Sequence, residues 1–393
     1  MDFLTDYLAD VKRRDLLRET PVYQTSDAAH VRLDGRNCLM LAANNYLGLT
    51  HCPAVQQAAI EAIEELGTGS GGARLTTGTH SLYPLLEKEL AEFKGAEAAV
   101  VFNTGYMANV GVISALAGAG DVIFSDELNH ASIIDGCRLS RADTIVFRHS
   151  DMAELGNLMS RTPCRGRKFI VVDGVFSMDG DIAPLDAIVE LARRHKAMVM
   201  VDDAHATGVI GPGGRGTAAY FGLENKIQVQ IGTLSKALGT EGGYVVGSRE
   251  LIRYLINRAR SFIFSTALAP ATIAAARAAL EQLKTRPEIV RRLLENAHYM
   301  RHQLSTAGLK IAPGFTPIIP VIVGAARTAN TLAQELRKEG LIITAIRPPT
   351  VPDGTSRLRL AVSAVHTKAE LAQATEIIAA AAKRLGVIER VVR

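Results

Sequence analysis

Between about residue 97 and residue 280 the sequence repeats one pattern: a short apolar run, a loop of small or polar residues, and a helix-like segment. The runs are rich in Val and Ile and apolar at consecutive positions, which is typical of parallel strands buried on both faces. They are AAVVF (98–102), DVIFS (121–125), DTIVF (143–147), KFIVVD (168–173), AMVMVD (197–202), IQVQI (227–231) and GYVVG (243–247). This alternation predicts an α/β fold with a mostly parallel central sheet covered by helices.

The pattern changes outside this region. After about residue 280, strand-like runs (316–324, 341–349 and 356–364) alternate with helical segments (329–340 and 368–386), which predicts a smaller α+β domain. The beginning of the chain combines an amphipathic helix with short strands. We therefore expect an N-terminal arm at 1–50, a large domain at 51–280 and a small C-terminal domain at 281–393.

Composition excludes several classes of protein. A formal charge of +4 over 393 residues, without a sustained Lys/Arg run, argues against a nucleic-acid-binding arm. No stretch of 18 uncharged apolar residues predicts a membrane span, and the first residues lack the apolar core of a signal peptide. The four cysteines are scattered without a CxxC pair, so neither a disulfide framework nor a metal site is expected. We expect a soluble, cytoplasmic protein.

Two glycine-rich segments match the G-x-G-x-x-G pattern of dinucleotide-binding loops. They are GTGSGG (67–72) and GPGGRG (211–216). That pattern requires a strand before it and a helix directly after it, and neither segment has this context. We interpret both as turns that need glycine, while a nicotinamide-dependent oxidoreductase remains the alternative from a different class.

Polar side chains follow five of the predicted strands. Ligands of open α/β sheets bind beyond the carboxyl ends of the strands, so these side chains are expected to share one site. Each alone has a plainer explanation, such as a helix cap or a structural histidine, but five together favour a functional site. The residues are Thr104 and Gly105, His130, Ser177, Asp202 with His205, and Thr233 with Lys236.

Lys236 is the most informative of these residues. It lies among small and apolar neighbours in QIGTLSKALGTEGG (230–243), where a lowered pKa would leave a free amine able to form a Schiff base. A hydroxyl such as that of Thr233 and the start of a helix at Gly105 suit a phosphate group. Asp202 can keep a pyridine nitrogen protonated. Together these groups meet the needs of pyridoxal 5′-phosphate.

The chain resembles the α-oxoamine synthases, a family of fold-type I pyridoxal-phosphate enzymes. The resemblance covers nearly the whole chain and rests on DGVFSMDG (173–180), VDDAHATG (201–208) and GTLSKALG (232–239), with NNYLGL (44–49) and GTGSGGARLTTG (67–78). Asp173 departs from the family, in which many members carry glutamate at this place.

The resemblance implies the condensation of a small amino acid with an acyl thioester, with loss of carbon dioxide. The segment TAIRPPTVPDGTSRLRLAVSAVH (344–366) is most similar to the branch that joins L-alanine to a pimeloyl thioester. The branch that joins glycine to acetyl-CoA remains the alternative, and so does a catalytically inactive, partner-binding relative. The acyl carrier is coenzyme A or acyl carrier protein, and family sites lie between the subunits of a homodimer.

The resemblance also implies roles for individual residues. Lys236 binds the cofactor and acts as the base, and Asp202 pairs with its ring nitrogen. His130 stacks on its ring and assists proton transfer at the thioester carbonyl. Residues implied to hold the rest of the cofactor are His205, Ser177, Gly105, Tyr106 and Thr233. Ser265 and Thr266 are implied to reach the cofactor phosphate of the neighbouring subunit. Asn44 and Arg359 are expected to bind the alanine carboxylate, although Arg359 alternates with apolar residues and could lie on the wet face of a strand. Arg18, Arg347 and Thr350 are candidates for the acyl side.

Overall fold

The computed structural model describes residues 2–18 and 20–388, which form two compact units. The large unit consists of Leu49–Ser177 and Asp181–Val290, and the small unit of the residues up to Gly48, Met178–Gly180 and the residues from Arg291 onward. The first 48 residues, expected as an arm of their own, therefore share a unit with the C-terminal residues. None of the described helices is both long enough and apolar enough to cross a membrane.

The described strands follow the sequence expectations closely. They are β1 (Gln24–Thr25), β2 (His30–Leu33), β3 (Arg36–Met40), β4 (Ala98–Phe102), β5 (Val122–Asp126), β6 (Asp143–Phe147), β7 (Lys168–Asp173), β8 (Ala197–Asp202), β9 (Val229–Thr233), β10 (Gly243–Gly247), β11 (Ile318–Gly324), β12 (Leu341–Ile342), β13 (Thr344–Ile346) and β14 (Ser356–Ala361).

The described α-helices lie between these strands and at both ends. They are α1 (Asp2–Arg13), α2 (Pro53–Leu66), α3 (Leu82–Lys94), α4 (Gly105–Leu116), α5 (Ala131–Ser140), α6 (Met152–Arg161), α7 (Leu185–His195), α8 (Thr217–Phe221), α9 (Arg249–Arg258), α10 (Arg260–Ile263), α11 (Pro270–Thr285), α12 (Glu288–Thr306), α13 (Ala326–Lys338) and α14 (Lys368–Arg384).

The large unit contains a seven-stranded sheet with the order β4-β10-β9-β8-β7-β5-β6. Strands β9, β8, β7, β5 and β6 pair in parallel, whereas β10 runs antiparallel to both of its neighbours, β4 and β9. The predicted mostly parallel sheet is therefore confirmed. Its parallel strands end at one edge, which is where the candidate site residues follow.

Apolar runs form these strands because both faces of the sheet are covered. In β7, Phe169 and Val171 pack into the core that contains α4 and α5, while Ile170 and Val172 pack into the core that contains α6 and α7. Alternate side chains of a strand point to opposite faces, so burial on both faces demands an unbroken apolar run.

The small unit contains two sheets. One has the order β1-β2-β3-β12, and the other, β11-β14-β13, is antiparallel. Leu358 and Leu360 of β14 pack into the core of the unit, and every residue of this strand is buried. Arg359 is only 6% exposed, so the interpretation of its position as the wet face of a strand is wrong.

Both glycine-rich segments lie in loops, the second of which contains a short 3-10 helix at Pro212–Gly214. Gly67 directly follows α2 with φ +83°, and Gly211 begins a loop in which Gly213, Gly214 and Gly216 also have positive φ. Glycine adopts this backbone region without the steric cost that other residues meet. Neither segment follows a strand, so the dinucleotide-binding interpretation lacks its structural context.

Candidate active site

Five strand ends of the large unit carry the polar residues singled out in the sequence. Thr104 and Gly105 follow β4, His130 follows β5, Ser177 follows β7, Asp202 ends β8 and is followed by His205, and Thr233 ends β9 and is followed by Lys236. Hydrogen bonds and charge interactions connect several of them.

Asp202 is a buried carboxylate with two hydrogen-bond donors. Its Oδ1 accepts from the backbone N–H of Ala204 at 2.8 Å, and its Oδ2 accepts from Nδ2 of Asn109 at 2.6 Å. The side chain is 5% exposed. Both oxygens of this buried carboxylate have a hydrogen-bond donor that fixes its position, so it is suited to face a cation such as a protonated pyridine ring.

His130 caps the N-terminus of α5. Its Nδ1 accepts from the backbone N–H of Ser132 at 3.2 Å, and its own backbone N–H donates to Oδ2 of Asp173 at 2.8 Å. Burial lowers the pKa of His130; the carboxylate of Asp202 opposes this effect and the positive charge of Lys236 adds to it. The ring is therefore held in its neutral form near neutral pH.

Lys236 lies in a charged environment, contrary to what its local sequence suggested. Its side chain is half-buried, and its charge acts on both His130 and Asp173. Burial raises the pKa of Asp173 well above its ordinary range, repulsion from Asp202 adds to this, and the N–H of His130 and Lys236 oppose it. The residues next to Lys236 in sequence are uncharged. The carboxylates of the cluster, Asp173 and Asp202, come from β7 and β8.

The start of α4 packs against the end of β9. Thr104 caps this helix by accepting from the N–H of Met107 at 3.0 Å. A Cβ added to Gly105 would lie 3.4 Å from Cβ of Thr233, so glycine allows the start of α4 to lie close to the end of β9. The first N–H groups of a helix have no acceptor within it, so those of Gly105 and Tyr106 can bind a ligand beside Thr233, whose hydroxyl donates to the carbonyl of Gly242 at 2.8 Å. The hydroxyl of Tyr106 itself donates to Asp135.

The remaining cofactor candidates lie in loops of the large unit. His205 is buried in the loop after β8, and Ser177 is half-buried in the loop after β7. Ser265 is half-buried and Thr266 exposed; Thr266 forms a bridge with Ala73 and its carbonyl accepts from Asn103.

Two of the expected carboxylate-binding residues meet in the small unit. The buried guanidinium of Arg359 donates from Nη2 to Oδ1 of Asn44 at 3.2 Å, and Tyr46 donates its hydroxyl to the same oxygen at 3.2 Å. The pairing of Asn44 with Arg359, which lie 315 residues apart, agrees with a shared role.

The three acyl-side candidates are also neighbours in the small unit. Arg347 donates to the carbonyl of Asp15. Burial and the nearby charge of Arg18 lower the pKa of Arg347, so the two guanidinium groups lie within electrostatic range. Thr350 closes a turn by donating its N–H to the carbonyl of Arg347 at 3.0 Å. Two guanidinium groups within electrostatic range of each other favour an anionic ligand.

Sequence reasoning missed two groups of residues. Asn109 and Ser132 lie between Asp202 and His130, and the spacing could have indicated Asn109, since it lies one helical turn after Gly105. The other group is a buried ion pair between Lys94 and Asp203. These two residues are 109 positions apart, so no local pattern could have joined them.

The residues present fit pyridoxal phosphate. The helix start at Gly105, left open by the missing side chain and flanked by a hydroxyl, suits its phosphate. The buried Asp202 carboxylate suits its ring nitrogen, and Lys236 supplies an amine from the loop after β9, the strand next to that of Asp202. Among the described residues no group of three or more His, Cys, Asp or Glu side chains is arranged to hold a metal ion.

Comparison with known proteins decides the family. The sequence pattern of aminotransferase class I and II matches residues 36–378, which is most of the chain. The chain belongs to the aminotransferase class I and II family. The chain has the fold of the type I pyridoxal-phosphate transferases, which it shares with its structural relatives.

Relatives narrow the membership further. The 8-amino-7-oxononanoate synthase of Lysinibacillus sphaericus is 50% identical over 378 residues, which cover 96% of this chain and 97% of that protein. A serine palmitoyltransferase structure containing pyridoxal phosphate matches with a TM-score of 0.94 and 35% identity, covering 99% of this chain and all of the other. The 8-amino-7-oxononanoate synthase structure from Francisella tularensis matches with a TM-score of 0.76 and 29% identity, over 88% of this chain and 98% of that one. The predicted membership of the α-oxoamine synthases and the predicted cofactor are confirmed.

Proposed function

We propose that this aminotransferase-family chain condenses L-alanine with a pimeloyl thioester, giving 8-amino-7-oxononanoate, carbon dioxide and the free thiol carrier. The product is an intermediate of biotin synthesis. The observation that carries this proposal is the 50% identity, over nearly the full length, with a protein named 8-amino-7-oxononanoate synthase. The chain is accordingly a pyridoxal-phosphate-dependent acyltransferase. The alternative reaction, against which this proposal is tested, is the condensation of glycine with acetyl-CoA.

The large unit supplies the groups that hold the cofactor. Lys236 binds it, Asp202 faces its ring nitrogen, and the N–H groups of Gly105 and Tyr106 bind its phosphate together with Thr233. His205 and Ser177 hydrogen-bond near the ring oxygen. Bound there, pyridoxal phosphate supplies an electron sink that stabilises negative charge at the α-carbon of alanine.

Lys236 carries the proton transfers of the reaction. Its amine takes the proton from the α-carbon of alanine, and the same position returns a proton to that carbon at the end. Lys236 interacts electrostatically with His130 and Asp173, so this proton exchange takes place inside a cluster of titratable groups. A base held beside the proton it abstracts contributes about 10²–10⁴-fold to the rate.

The bond changes balance with one proton taken up from solvent, because both the departing thiol and the α-carbon gain a proton and the α-carbon of alanine releases only one. The α-carbon of alanine forms a bond to the thioester carbonyl carbon, and the carbon–sulfur bond breaks, so that the carrier leaves as a thiol. The bond from the α-carbon to the carboxylate breaks with release of carbon dioxide, and a proton takes its place. Arg359 and Asn44 are proposed to hold that carboxylate, because a planar guanidinium can bind both of its oxygens.

The acyl side is assigned to the cationic neighbours in the small unit. Arg18 and Arg347 are proposed to bind an anionic part of the thioester, either the free carboxylate of the pimeloyl chain or the phosphates of its carrier, with Thr350 beside them. This assignment is supported by the effect of the Arg18 charge on Arg347, whose pKa it lowers together with burial. The carrier is coenzyme A or acyl carrier protein.

We further propose a cytoplasmic homodimer. Ser265 and Thr266 would then reach the cofactor phosphate of a second copy. The cytoplasm is supported by the four cysteines, all of which are free thiols in the structure.

The test uses the purified chain loaded with pyridoxal phosphate and supplied with L-alanine and pimeloyl-CoA. Mass spectrometry should detect 8-amino-7-oxononanoate, and Lys236→Ala should abolish its formation while the circular dichroism spectrum stays unchanged. Lys226→Ala, which removes an exposed lysine of the same unit, is the matched control and should keep full activity. Near-normal turnover by Lys236→Ala would contradict the proposal.

A further inference from the structure

A chain of hydrogen bonds joins Asp202 to His130 through two residues that have no part in the reaction so far. Nδ2 of Asn109 donates to Oδ2 of Asp202 at 2.6 Å and to Oγ of Ser132 at 2.9 Å. Oγ of Ser132 lies 2.7 Å from Nδ1 of His130. Asn109 and Ser132 are both buried, and they come from the neighbouring helices α4 and α5.

The orientation of the Asn109 amide follows from its partners. Both protons of Nδ2 are used, one for Asp202 and one for Ser132. Exchanging the amide nitrogen and oxygen would place Oδ1 against the Asp202 carboxylate, where two acceptors repel each other. In the orientation seen, Oδ1 is buried and has no hydrogen-bond partner among the described residues. An orphaned acceptor costs free energy, so the contact with Asp202 must outweigh that cost.

The direction of the remaining bond fixes the proton of His130. The backbone N–H of Ser132 points at Nδ1 of His130 from 3.2 Å, and because a backbone N–H can only donate, it makes this nitrogen an acceptor. The hydroxyl of Ser132, whose oxygen accepts from Asn109, then directs its own proton towards the same nitrogen. Two donors at Nδ1 require it to be an acceptor, so the ring proton of the neutral imidazole must be on Nε2.

The groups around His130 agree with a neutral ring. Burial disfavours the charged imidazolium, Lys236 repels it, and Asp202 alone attracts it. Asp173 faces the backbone N–H of His130 rather than its ring. The Asp202 carboxylate, which would favour an imidazolium, already accepts hydrogen bonds from Asn109 and from the N–H of Ala204.

We propose that Asn109 and Ser132 are positioning residues that hold the Asp202 carboxylate in place and fix His130 as the tautomer protonated on Nε2. The consequence for the reaction rests on the proposed function. A fixed Nε2–H makes His130 a hydrogen-bond donor rather than a base. A donor suits the thioester carbonyl oxygen, which gains negative charge as the carbon–carbon bond forms.

The tautomer is measured directly on the cofactor-loaded protein labelled with nitrogen-15 histidine. A long-range proton–nitrogen correlation spectrum distinguishes a protonated ring nitrogen from an acceptor, and His130→Gln identifies the His130 resonances among the 10 histidines. At about pH 7.5 we expect Nε2 to be protonated and Nδ1 to be an acceptor. A proton on Nδ1 would overturn the proposal.

Two variants test the hydrogen-bond chain from Asp202 through Asn109 and Ser132 to His130, called the relay here. Ser132→Ala removes the hydroxyl donor to Nδ1, so the imidazolium should form more easily and His130 should titrate at higher pH. Asn109→Leu frees the Ser132 hydroxyl to rotate and should shift the titration in the same direction. It should also weaken pyridoxal phosphate binding roughly tenfold, measured by equilibrium dialysis, because Asp202 loses a charge-assisted donor. Unchanged His130 titration in both variants would contradict the proposal.

Matched controls separate positioning from general damage. Ser114→Ala removes a hydroxyl from α4 that donates to the carbonyl of Val110, and Asn296→Leu removes a buried amide with two acceptors in the small unit. Both should leave the His130 titration unchanged. Thiol release by the native protein is recorded in parallel. If the native protein releases thiol but neither relay variant shifts the His130 titration, the relay alone is overturned. The expected tautomer without release overturns the proposed function alone.

Discussion

Lys94 and Asp203 form an ion pair in which Nζ lies 2.6 Å from Oδ2 and both side chains are completely buried. Lys94 also donates to the carbonyl of Arg215 at 2.6 Å, and Asp203 accepts from the N–H of Thr217 at 3.1 Å. Asp203 directly follows Asp202. The pair therefore anchors the loop that begins at the proposed cofactor-binding carboxylate.

Removing one partner of this pair should be strongly destabilising. Lys94→Met leaves the Asp203 carboxylate buried without its cation, and we expect the free energy of unfolding to fall by about 3–5 kcal/mol in urea titrations. The double variant Lys94→Met/Asp203→Leu should recover much of that loss, because no uncompensated charge remains. Lys88→Met, in an exposed pair with Glu92, is the control and should cost less than about 1 kcal/mol. Equal costs for Lys94→Met and Lys88→Met would contradict this account.

The same ion pair leaves no room for a side chain at Gly216. A Cβ there would overlap Oδ2 of Asp203 and lie 2.6 Å from Nζ of Lys94. We expect Gly216→Ala to lower the midpoint of thermal unfolding clearly more than Gly213→Ala does. Gly213 also has a positive φ, but a Cβ at that position meets nothing within 4 Å. Gly213 lies in the left-handed α region (φ +62°, ψ +18°), whereas Gly216 lies at φ +95°, ψ −168°, so the larger shift expected at Gly216 combines the clash with greater backbone strain. Equal shifts would show that neither limits this position.

Neutralising Asp202 should remove activity while preserving the shape of the site. Asp202→Asn keeps an acceptor for one N–H donor but cannot oppose a positive charge on the cofactor nitrogen. We expect kcat to fall at least roughly hundredfold, as for other losses of electrostatic stabilisation. Asp186→Asn, at an exposed position in the first turn of α7, should leave kcat unchanged. A loss confined to KM would argue against the assigned role.

His149 should make stability depend on pH. Burial opposes its charge, but hydrogen bonds to Asp126 at 3.0 Å and Asp181 at 2.7 Å outweigh it and raise the pKa to about 10 from an ordinary 6.5. The folded state therefore holds this proton more tightly than the unfolded state. Its stabilising effect is complete below about pH 6.5 and is lost as pH rises through 10.

The measurement is urea unfolding between about pH 6 and pH 10. The difference in free energy of unfolding between the native protein and His149→Gln should shrink as pH rises. His298→Gln, at an exposed histidine, should run parallel to the native protein. A constant difference between native and His149→Gln would mean that the ionised pairs do not contribute.

Much of the fold could be predicted because burial on both faces of a sheet leaves a plain mark in sequence. Runs such as KFIVVD became strands at the predicted bounds. A candidate site could be predicted because the carboxyl ends of parallel strands converge, so His130, Asp202 and Lys236 were expected to lie together without knowledge of their contacts.

The rest depended on contacts between distant residues. Nothing near Lys94 indicates that Asp203 is its partner, and the alternation around Arg359 looks the same whether its strand face is wet or buried. The uncharged neighbours of Lys236 gave no sign of the carboxylates from other strands. Local sequence determines strands and turns, whereas the charge environment of a side chain is set by the tertiary fold.

Thiol release by the cofactor-loaded protein tests the central claim most directly. L-alanine with pimeloyl-CoA is compared with glycine and acetyl-CoA at equal concentrations. A pocket discriminates one methyl group by only about 1–3 kcal/mol, so some release with the second pair is expected. Our account predicts a clearly higher kcat/KM with L-alanine and pimeloyl-CoA. A higher value with glycine and acetyl-CoA would contradict it.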